Sequence, residues 1–122
     1  MAGKIKRQRI KGNFIAELSP GEKLFIWRRR KNLNQDKAAK IFKVSVFEYK
    51  LAEYDKRQLA KLGYAEISVL QPHERCVLYR RRSGMKQEEI AGKLGISRNW
   101  LRQLESGKED PAKLLAFWEG VP

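Results

Sequence analysis

The chain has 122 residues, a length that suits one domain or two very small ones, and its hydrophobic content of 42% is typical of compact cores rather than disorder. Its 27 Lys and Arg outnumber 14 Asp and Glu. The resulting net charge of +13 calls for a polyanionic partner, with nucleic acid ahead of an anionic membrane surface. The single cysteine, Cys76, excludes an intrachain disulfide and a thiolate zinc site, and no apolar run approaches the roughly 18 residues of a membrane span.

The first 16 residues are predicted to form a basic N-terminal arm. The first 12 contain no Asp or Glu, and five cations lie among them: Lys4, Lys6, Arg7, Arg9 and Lys11. One hypothesis places the arm in a DNA minor groove or along the phosphate backbone. The other is a disordered tail that adds only salt-sensitive affinity. Because no apolar segment follows the charges, we expect no signal peptide, and the single cysteine suits a reducing cytoplasm.

The rest of the chain repeats itself at a spacing of 52 residues, without a gap. Identical residues occupy matching positions: Leu18 and Leu70, Pro20 and Pro72, Glu22 and Glu74, Arg28–Arg30 and Arg80–Arg82, Gln35 and Gln87, Ala39 and Ala91, Ser45 and Ser97, Glu53 and Glu105, and Lys56 and Lys108. We interpret this pattern as two copies of one folding unit. The predicted organisation is the arm at 1–16, a first repeat at 17–62, a short linker at 63–69 and a second repeat at 70–122.

The first repeat opens with the pattern of a helix start. Ser19 is a suitable N-cap, Pro20 takes the first helical position, and Glu22 is placed to complete a capping box. This helix is predicted to run to about Lys31, and Asn32 favours the turn that stops it.

Two further helices are predicted in the first repeat. One covers Gln35–Phe42 and ends in a tight turn at Lys43-Val44. The other starts after Ser45, a good N-cap with Glu48 three residues later. The helical spacing of apolar residues identifies the positions that face the core, which are Ala38, Ala39, Phe42, Tyr49 and Ala52.

The second repeat follows the same plan. Its first helix starts at a weaker cap, Gln71-Pro72-His73-Glu74, and ends near Arg82, before Gly84. Its second helix is predicted at Gln87–Leu94, its turn at Gly95-Ile96 and its third helix after Ser97. Gly107 ends the third helix, and Asp110-Pro111 caps a fourth. The core-facing residues are Ile90, Ala91, Leu94, Leu101 and Leu104. No segment alternates like a strand, so an all-α fold is predicted.

The motif residues of the second repeat are Arg80, Gly84, Met85, the run 87–97, Leu101, the run 104–108 and Pro111. With a small residue at Ala91, glycine at Gly95 and apolar residues in register, they resemble the Cro/repressor family of helix-turn-helix proteins, also called the XRE type. The first repeat keeps Arg28, Leu33, Gln35, Ala39, Phe42, Val44, Ser45 and Glu53, and departs from the pattern at Lys43 and Asp55. The resemblance covers roughly 17–58 and 70–119. It implies two tandem lambda-repressor-like units of four to five short helices each.

The same resemblance implies roles for individual residues. An arginine late in the first helix is expected to pair with a glutamate at the end of the third, as Arg80 with Glu105 and Arg28 with Glu53, in a structural ion pair. The third helix is expected to enter a DNA major groove, where Arg reads guanine and Asn or Gln reads adenine. The predicted base contacts are Arg98, Asn99, Arg102 and Gln103. The predicted phosphate contacts are Gln87, Ser97, Lys108 and Lys86. Trp100 is expected to pack against the second helix, with a sugar edge as the alternative.

The matching positions of the first repeat are Val46, Phe47, Lys50 and Leu51, a poor set of hydrogen-bonding readers. We expect an architectural or dimerising role for this face, and contact with thymine methyls is the alternative. Lys37, Lys43 and Lys50, together with Lys4, Lys6, Arg7 and Arg9 of the arm, are candidates for secondary DNA contacts.

No catalytic constellation is visible, since His73 is the only histidine and no phosphate-binding loop occurs. We therefore expect no enzyme activity, no metal and no cofactor. The leading hypothesis is a cytoplasmic transcriptional regulator of phage or bacterial type, a repressor that binds double-stranded DNA as a homodimer or as an intrachain pseudo-dimer. One alternative is an antitoxin-like interaction module that uses apolar residues of the last helix: Leu114, Leu115, Phe117 and Trp118. Another is a non-specific DNA-binding or RNA-binding protein, whose affinity should fall steeply with salt.

Overall fold

The computed structural model describes residues 18–60 and 63–120, and every regular element within them is helical. The elements are α1 (Pro20–Arg30), α2 (Gln35–Phe42), α3 (Val46–Glu53), a 3-10 helix (Gly63–Glu66), α4 (Pro72–Ser83), α5 (Gln87–Leu94), α6 (Arg98–Ser106) and α7 (Ala112–Glu119). The all-α prediction is confirmed. None of the helices described is long and apolar enough to cross a membrane. The predicted arm, with Lys4, Lys6, Arg7 and Arg9, lies outside the described residues.

The chain divides between Val69 and Leu70 into two compact units, called here the first unit and the second unit. In the first unit, α1 begins with the predicted capping box: Ser19 Oγ accepts from the Glu22 N–H at 3.1 Å, and Glu22 Oε1 accepts from the Ser19 N–H at 3.0 Å. Ser45 and Glu48 make the same reciprocal pair at the start of α3. Such caps satisfy backbone donors that a helix leaves open, and each contributes about 1 kcal/mol.

The helix starts of the second unit use more varied caps. Glu74 Oε1 accepts from the Gln71 N–H at the start of α4, and Ser97 Oγ accepts from the Trp100 N–H at the start of α6. Before α7 the capping group is the Asp110 carboxylate, which accepts from the Ala112 N–H at 3.0 Å. The predicted Asp-Pro cap is therefore present, with the aspartate supplying the hydrogen bond.

Both units turn left-handed at three matching places, 52 residues apart. In the second unit these places hold Gly84, Gly95 and Gly107, with φ of 74°, 69° and 85°. In the first unit they hold Asn32, Lys43 and Asp55, with φ of 58°, 59° and 62°. Glycine adopts this conformation without steric cost, whereas a side chain bearing Cβ does not. Lys43 is the least suited of the three, because Asn and Asp enter this region more readily.

The core of the second unit is a cluster of buried residues drawn from all four of its helices: Cys76, Ile90, Ala91, Leu101, Leu104 and Leu114. Helix α7 closes this cluster. Leu115 and Trp118 pack against it, the Trp118 ring stacks on Tyr79 at 5.9 Å, and Glu119 accepts from both Tyr79 Oη and Arg75. Three of the four apolar residues on which the interaction-module alternative rested therefore serve the core, and Phe117 is 38% exposed.

The core of the first unit is more aromatic. The ring of Phe42 contacts those of Trp27, Tyr49 and Tyr64, at centroid distances of 5.4, 6.0 and 5.8 Å. Tyr64 lies on the 3-10 helix, which packs against α1, and Ile67 is buried just after it. Residues 63–69, expected to be a linker, therefore contribute to the core of the first unit. The physical reason is that two apolar side chains in this short segment complete a core that α1–α3 leave open.

The left-handed lysine yields a stability prediction. Lys43→Gly should raise the free energy of unfolding by about 0.5–1 kcal/mol, since the strain of a left-handed Cβ exceeds the extra freedom that glycine gives the unfolded chain. Urea unfolding followed by far-ultraviolet circular dichroism measures this change. Gly95→Ala is the matched control: no atom lies within 4 Å of the added Cβ, so a loss of about 1 kcal/mol would report backbone strain alone. A less stable Lys43→Gly variant would contradict this reasoning.

Burial of Cys76 yields a second prediction. Its side chain is fully buried, and burial raises the pKa of the thiol to about 12, with the Glu105 carboxylate adding to the effect. The thiolate is the reactive form, so a disulfide reagent at pH 8 should label the native protein at least about 100-fold more slowly than the urea-unfolded chain. Equal labelling rates in the two states would show that the second unit opens freely.

Candidate nucleic-acid interface

The orientation of α6 is fixed at its start and along its buried side. At its start, the left-handed Gly95 reverses the chain after α5, and Ser97 caps the new helix. Along its length, Leu101 and Leu104 are buried in the core, and Glu105 is buried beside them. One side of α6 is therefore held against the unit, and the opposite side faces solvent.

Three of the four predicted base-contact residues, Asn99, Arg102 and Gln103, lie on the solvent side of α6, and Arg98 is exposed at its first position. Arg98, Asn99 and Arg102 are exposed and Gln103 is half-buried. At 100° per residue, Asn99 and Gln103 point most directly away from Leu101, and Arg102 flanks them. Arg98 Nη1 lies 3.9 Å from Glu88 Oε2, and both side chains are more than half exposed. Such a pair contributes little to stability, so Arg98 is available to another anion.

Trp100 is 41% exposed. The reason is its angular position: Leu101 and Leu104 occupy the centre of the buried side, which leaves residue 100 at the border of the solvent side. Trp100 therefore stands beside the predicted base-contact residues, at a position that suits contact with a sugar edge.

The side chain of Gln87 has a partner within the protein. Its Nε2 donates to Glu105 Oε1 at 3.0 Å. Among the other predicted phosphate contacts, Lys86 and Lys108 are exposed, and exposed Ser97 uses its Oγ as the cap of α6. The first turn of α6 carries no acidic residue, so no carboxylate there opposes an anion at the helix N-terminus.

The hydrogen bond from Gln87 belongs to a network that joins three helices. Arg80 Nε and Nη2 donate to the two carboxylate oxygens of Glu105 at 2.7 and 3.0 Å, and Gln87 adds a third bond. In the first unit, Arg28 and Gln35 bind Glu53 in the same way, with Arg28 Nε at 2.6 Å from Glu53 Oε2. Both implied arginine–glutamate pairs are present. The hydrogen bonds from the glutamines were not predicted, although Gln35 and Gln87 are identical at matching positions.

The outward side of α3 in the first unit has a different chemistry. Phe47 is 67% exposed, Lys50 is exposed, and Val46 and Leu51 are half-buried. Tyr54, which no motif of the sequence marks, follows α3 directly and is 63% exposed. Lys37 and Lys43 are exposed on α2 and in the turn after it.

His73 is half-buried, and its ring occupies the space beside Gly107, where an added Cβ would come within 2.9 Å of Nδ1. Within 18–60 and 63–120, no group of three or more His, Cys, Asp or Glu is arranged to hold a metal ion.

The network around Glu105 makes a stability prediction. Arg80→Ala should destabilise the protein by about 3 kcal/mol, because it leaves a carboxylate that is only 3% exposed without its bidentate partner. Arg80→Met combined with Glu105→Leu should recover most of that loss, since no buried charge then remains. Lys93→Ala, on the exposed side of α5, is the control and should change stability by less than about 0.5 kcal/mol. Equal urea midpoints for Arg80→Ala and Lys93→Ala would refute the argument.

The comparison with known families agrees with this geometry. A family model described as a helix-turn-helix domain matches residues 78–117, which run from within α4 to within α7. No curated protein and no solved structure matches the chain. Residues 78–117 of the second unit are therefore similar to a helix-turn-helix domain, a type of domain that binds DNA.

Proposed function

We propose that this protein is a sequence-specific DNA-binding transcriptional regulator of repressor type that reads the major groove with the helix 97–106. One observation carries the proposal. Helix α6 is held on one side by Leu101, Leu104 and Glu105, and its other side presents Arg98, Asn99, Arg102 and Gln103. A helix with a rigid inner side and four long polar side chains outside fits a groove that admits a single helix.

Each exposed residue has a role that its chemistry supports. Asn99 and Gln103 each suit a pair of hydrogen bonds to adenine N6 and N7, and Arg98 or Arg102 suits guanine O6 and N7. Lys86 and Lys108 suit phosphates, as do Ser97 and the backbone of Gln87 at helix N-termini. Trp100 adds an apolar contact at the border of the same surface.

The proposal extends to the whole chain. The two units would be tandem copies of one helix-turn-helix fold of the XRE type. Their matching left-handed turns and their matching Arg–Glu–Gln networks support this view. A regulator of bacterial or phage type would then occupy its operator as a homodimer or as a pseudo-dimer within one chain, and block polymerase.

Selection of bound sequences from random duplex DNA at about 0.15 M salt tests the proposal, because screening there weakens general phosphate binding. An enriched motif is expected. Two inverted half-sites would indicate a dimer that uses two copies of α6, and one asymmetric site would indicate recognition by a single chain. The absence of any motif would refute sequence-specific recognition.

The double variant Arg98→Ala/Gln103→Ala should then lose at least about 100-fold in preference for that motif over unrelated DNA, with weak general binding retained. The control is Lys93→Ala/Lys113→Ala, which removes more positive charge from exposed positions outside α6 and should keep the preference. Anisotropy titrations with labelled duplexes measure both. Equal preference in the two double variants would exclude α6 as the reading helix.

A second candidate function is non-specific binding of DNA or RNA, which the net charge of +13 favours. In that case affinity would be the same for unrelated sequences and would fall steeply with salt for all of them. The selection experiment separates the two functions, since only specific binding survives competitor DNA.

A further inference from the structure

The outward side of α3 carries an exposed apolar surface. It consists of Phe47, Leu51 and Tyr54, which follow one another at helical spacing, with Phe47 and Tyr54 exposed by 67% and 63%. We call it the α3 face. The opposite side of α3 is buried through Tyr49, Ala52 and Glu53, as in α6.

The α3 face occupies the positions at which α6 presents its polar readers. At the spacing of 52 residues, Phe47, Leu51 and Tyr54 match Asn99, Gln103 and Ser106. Phe47 is the second residue of α3, and the first turns of a recognition helix are the part that contacts base edges. The first unit thus keeps a helix with the same buried positions as α6, and the outward side of that helix carries apolar side chains in place of hydrogen-bonding ones.

The charged residues around the α3 face indicate what kind of partner it binds. Lys37, Lys40 and Lys43 are exposed on α2 and in the turn, where the second unit has Glu89, Gly92 and Gly95. Lys50 is exposed on α3 itself.

The acids of this region only partly offset these lysines. Glu48 pairs with Arg57 at 2.9 Å and caps α3, and Glu53 is buried in the network with Arg28. Asp36 is exposed on α2. The net local charge is positive, so a second copy of this surface would bring like charges together, whereas a nucleic acid would neutralise them.

We propose that the first unit binds duplex DNA through the α3 face and recognises the 5-methyl groups of thymine, which rests on the DNA-binding function proposed above. The thymine methyl is the apolar group that bases present in the major groove, and Phe is among the side chains that contact it. The four lysines would hold the flanking phosphates.

Replacement of thymine by uracil tests this proposal, because it removes the methyl and leaves every hydrogen-bonding group in place. In the selected sequence, each thymine is replaced singly, and Kd is measured for the full chain at about 0.15 M salt. We expect one or more positions at which the loss of the methyl weakens binding about fourfold, the size expected for one buried methyl.

The matched variants are Phe47→Ala and Asn99→Ala, at equivalent exposed positions of α3 and α6. Phe47→Ala should weaken binding to thymine-containing DNA and abolish the effect of uracil. Asn99→Ala should weaken binding and keep the effect of uracil. A duplex of dA·dT and its dA·dU counterpart provide the same comparison without a selected sequence.

Specific binding that no uracil substitution affects would overturn this inference and leave the proposed function intact. So would an effect of uracil that persists in Phe47→Ala. If Phe47→Ala instead dissociates a dimer in sedimentation experiments and no thymine methyl matters, the α3 face is an interface between copies and the proposal fails. Absence of sequence preference together with a dA·dT advantage that requires Phe47 would refute the proposed function and support the methyl contact.

Discussion

Glu105 has a side chain that is only 3% exposed, and its carboxylate accepts two hydrogen bonds from Arg80 and one from Gln87. A buried carboxylate without partners costs several kcal/mol, so α4, α5 and α6 are constrained to meet where these three side chains converge. The direction of the outward side of α6 follows from that constraint. Glu53, Arg28 and Gln35 impose the same condition on α1, α2 and α3.

The contact between the start of the first helix and the end of the third helix is built differently in the two units. In the first unit, an added Cβ at Gly21 would lie 2.5 Å from the backbone oxygen of Glu53, so only glycine fits there. The Asp55 carboxylate, just beyond α3, accepts from the Gly21 N–H and from Ser19 Oγ. In the second unit the matching positions hold His73 and Gly107, and the ring fills the space that a side chain at 107 would need. In the first unit the glycine of this contact is Gly21, at the start of α1, and in the second unit it is Gly107, just after α6. This exchange explains why Asp55 stands at the position that Gly107 occupies in the second unit.

The sequence predicted the features that local rules determine. The bounds of α2 and α5, the caps at Ser45 and Ser97 and the core positions all follow from neighbours within one or two helical turns. The arginine–glutamate pairs came from the resemblance. The side-chain hydrogen bond of Gln87 and the burial of Tyr64 could not be predicted, since each depends on contacts between segments distant in sequence. The function of the exposed faces is a further step, because exposure constrains chemistry far less than burial does.

Whether the two units differ at a position depends on whether that residue contacts the buried glutamate or lies on the outward side of the third helix. Residues that meet the buried glutamate are the same type in both, whereas the outward residues of α3 and α6 differ in kind: aromatic at Phe47 and amide at Asn99. Packing explains the first group, because a frame that must satisfy a buried charge tolerates few alternatives. It does not explain the second, because the outward positions are not constrained by the core. Under the proposed function, a single chain therefore lacks two equal readers, and a symmetric operator would require two chains. An asymmetric operator would fit a single chain.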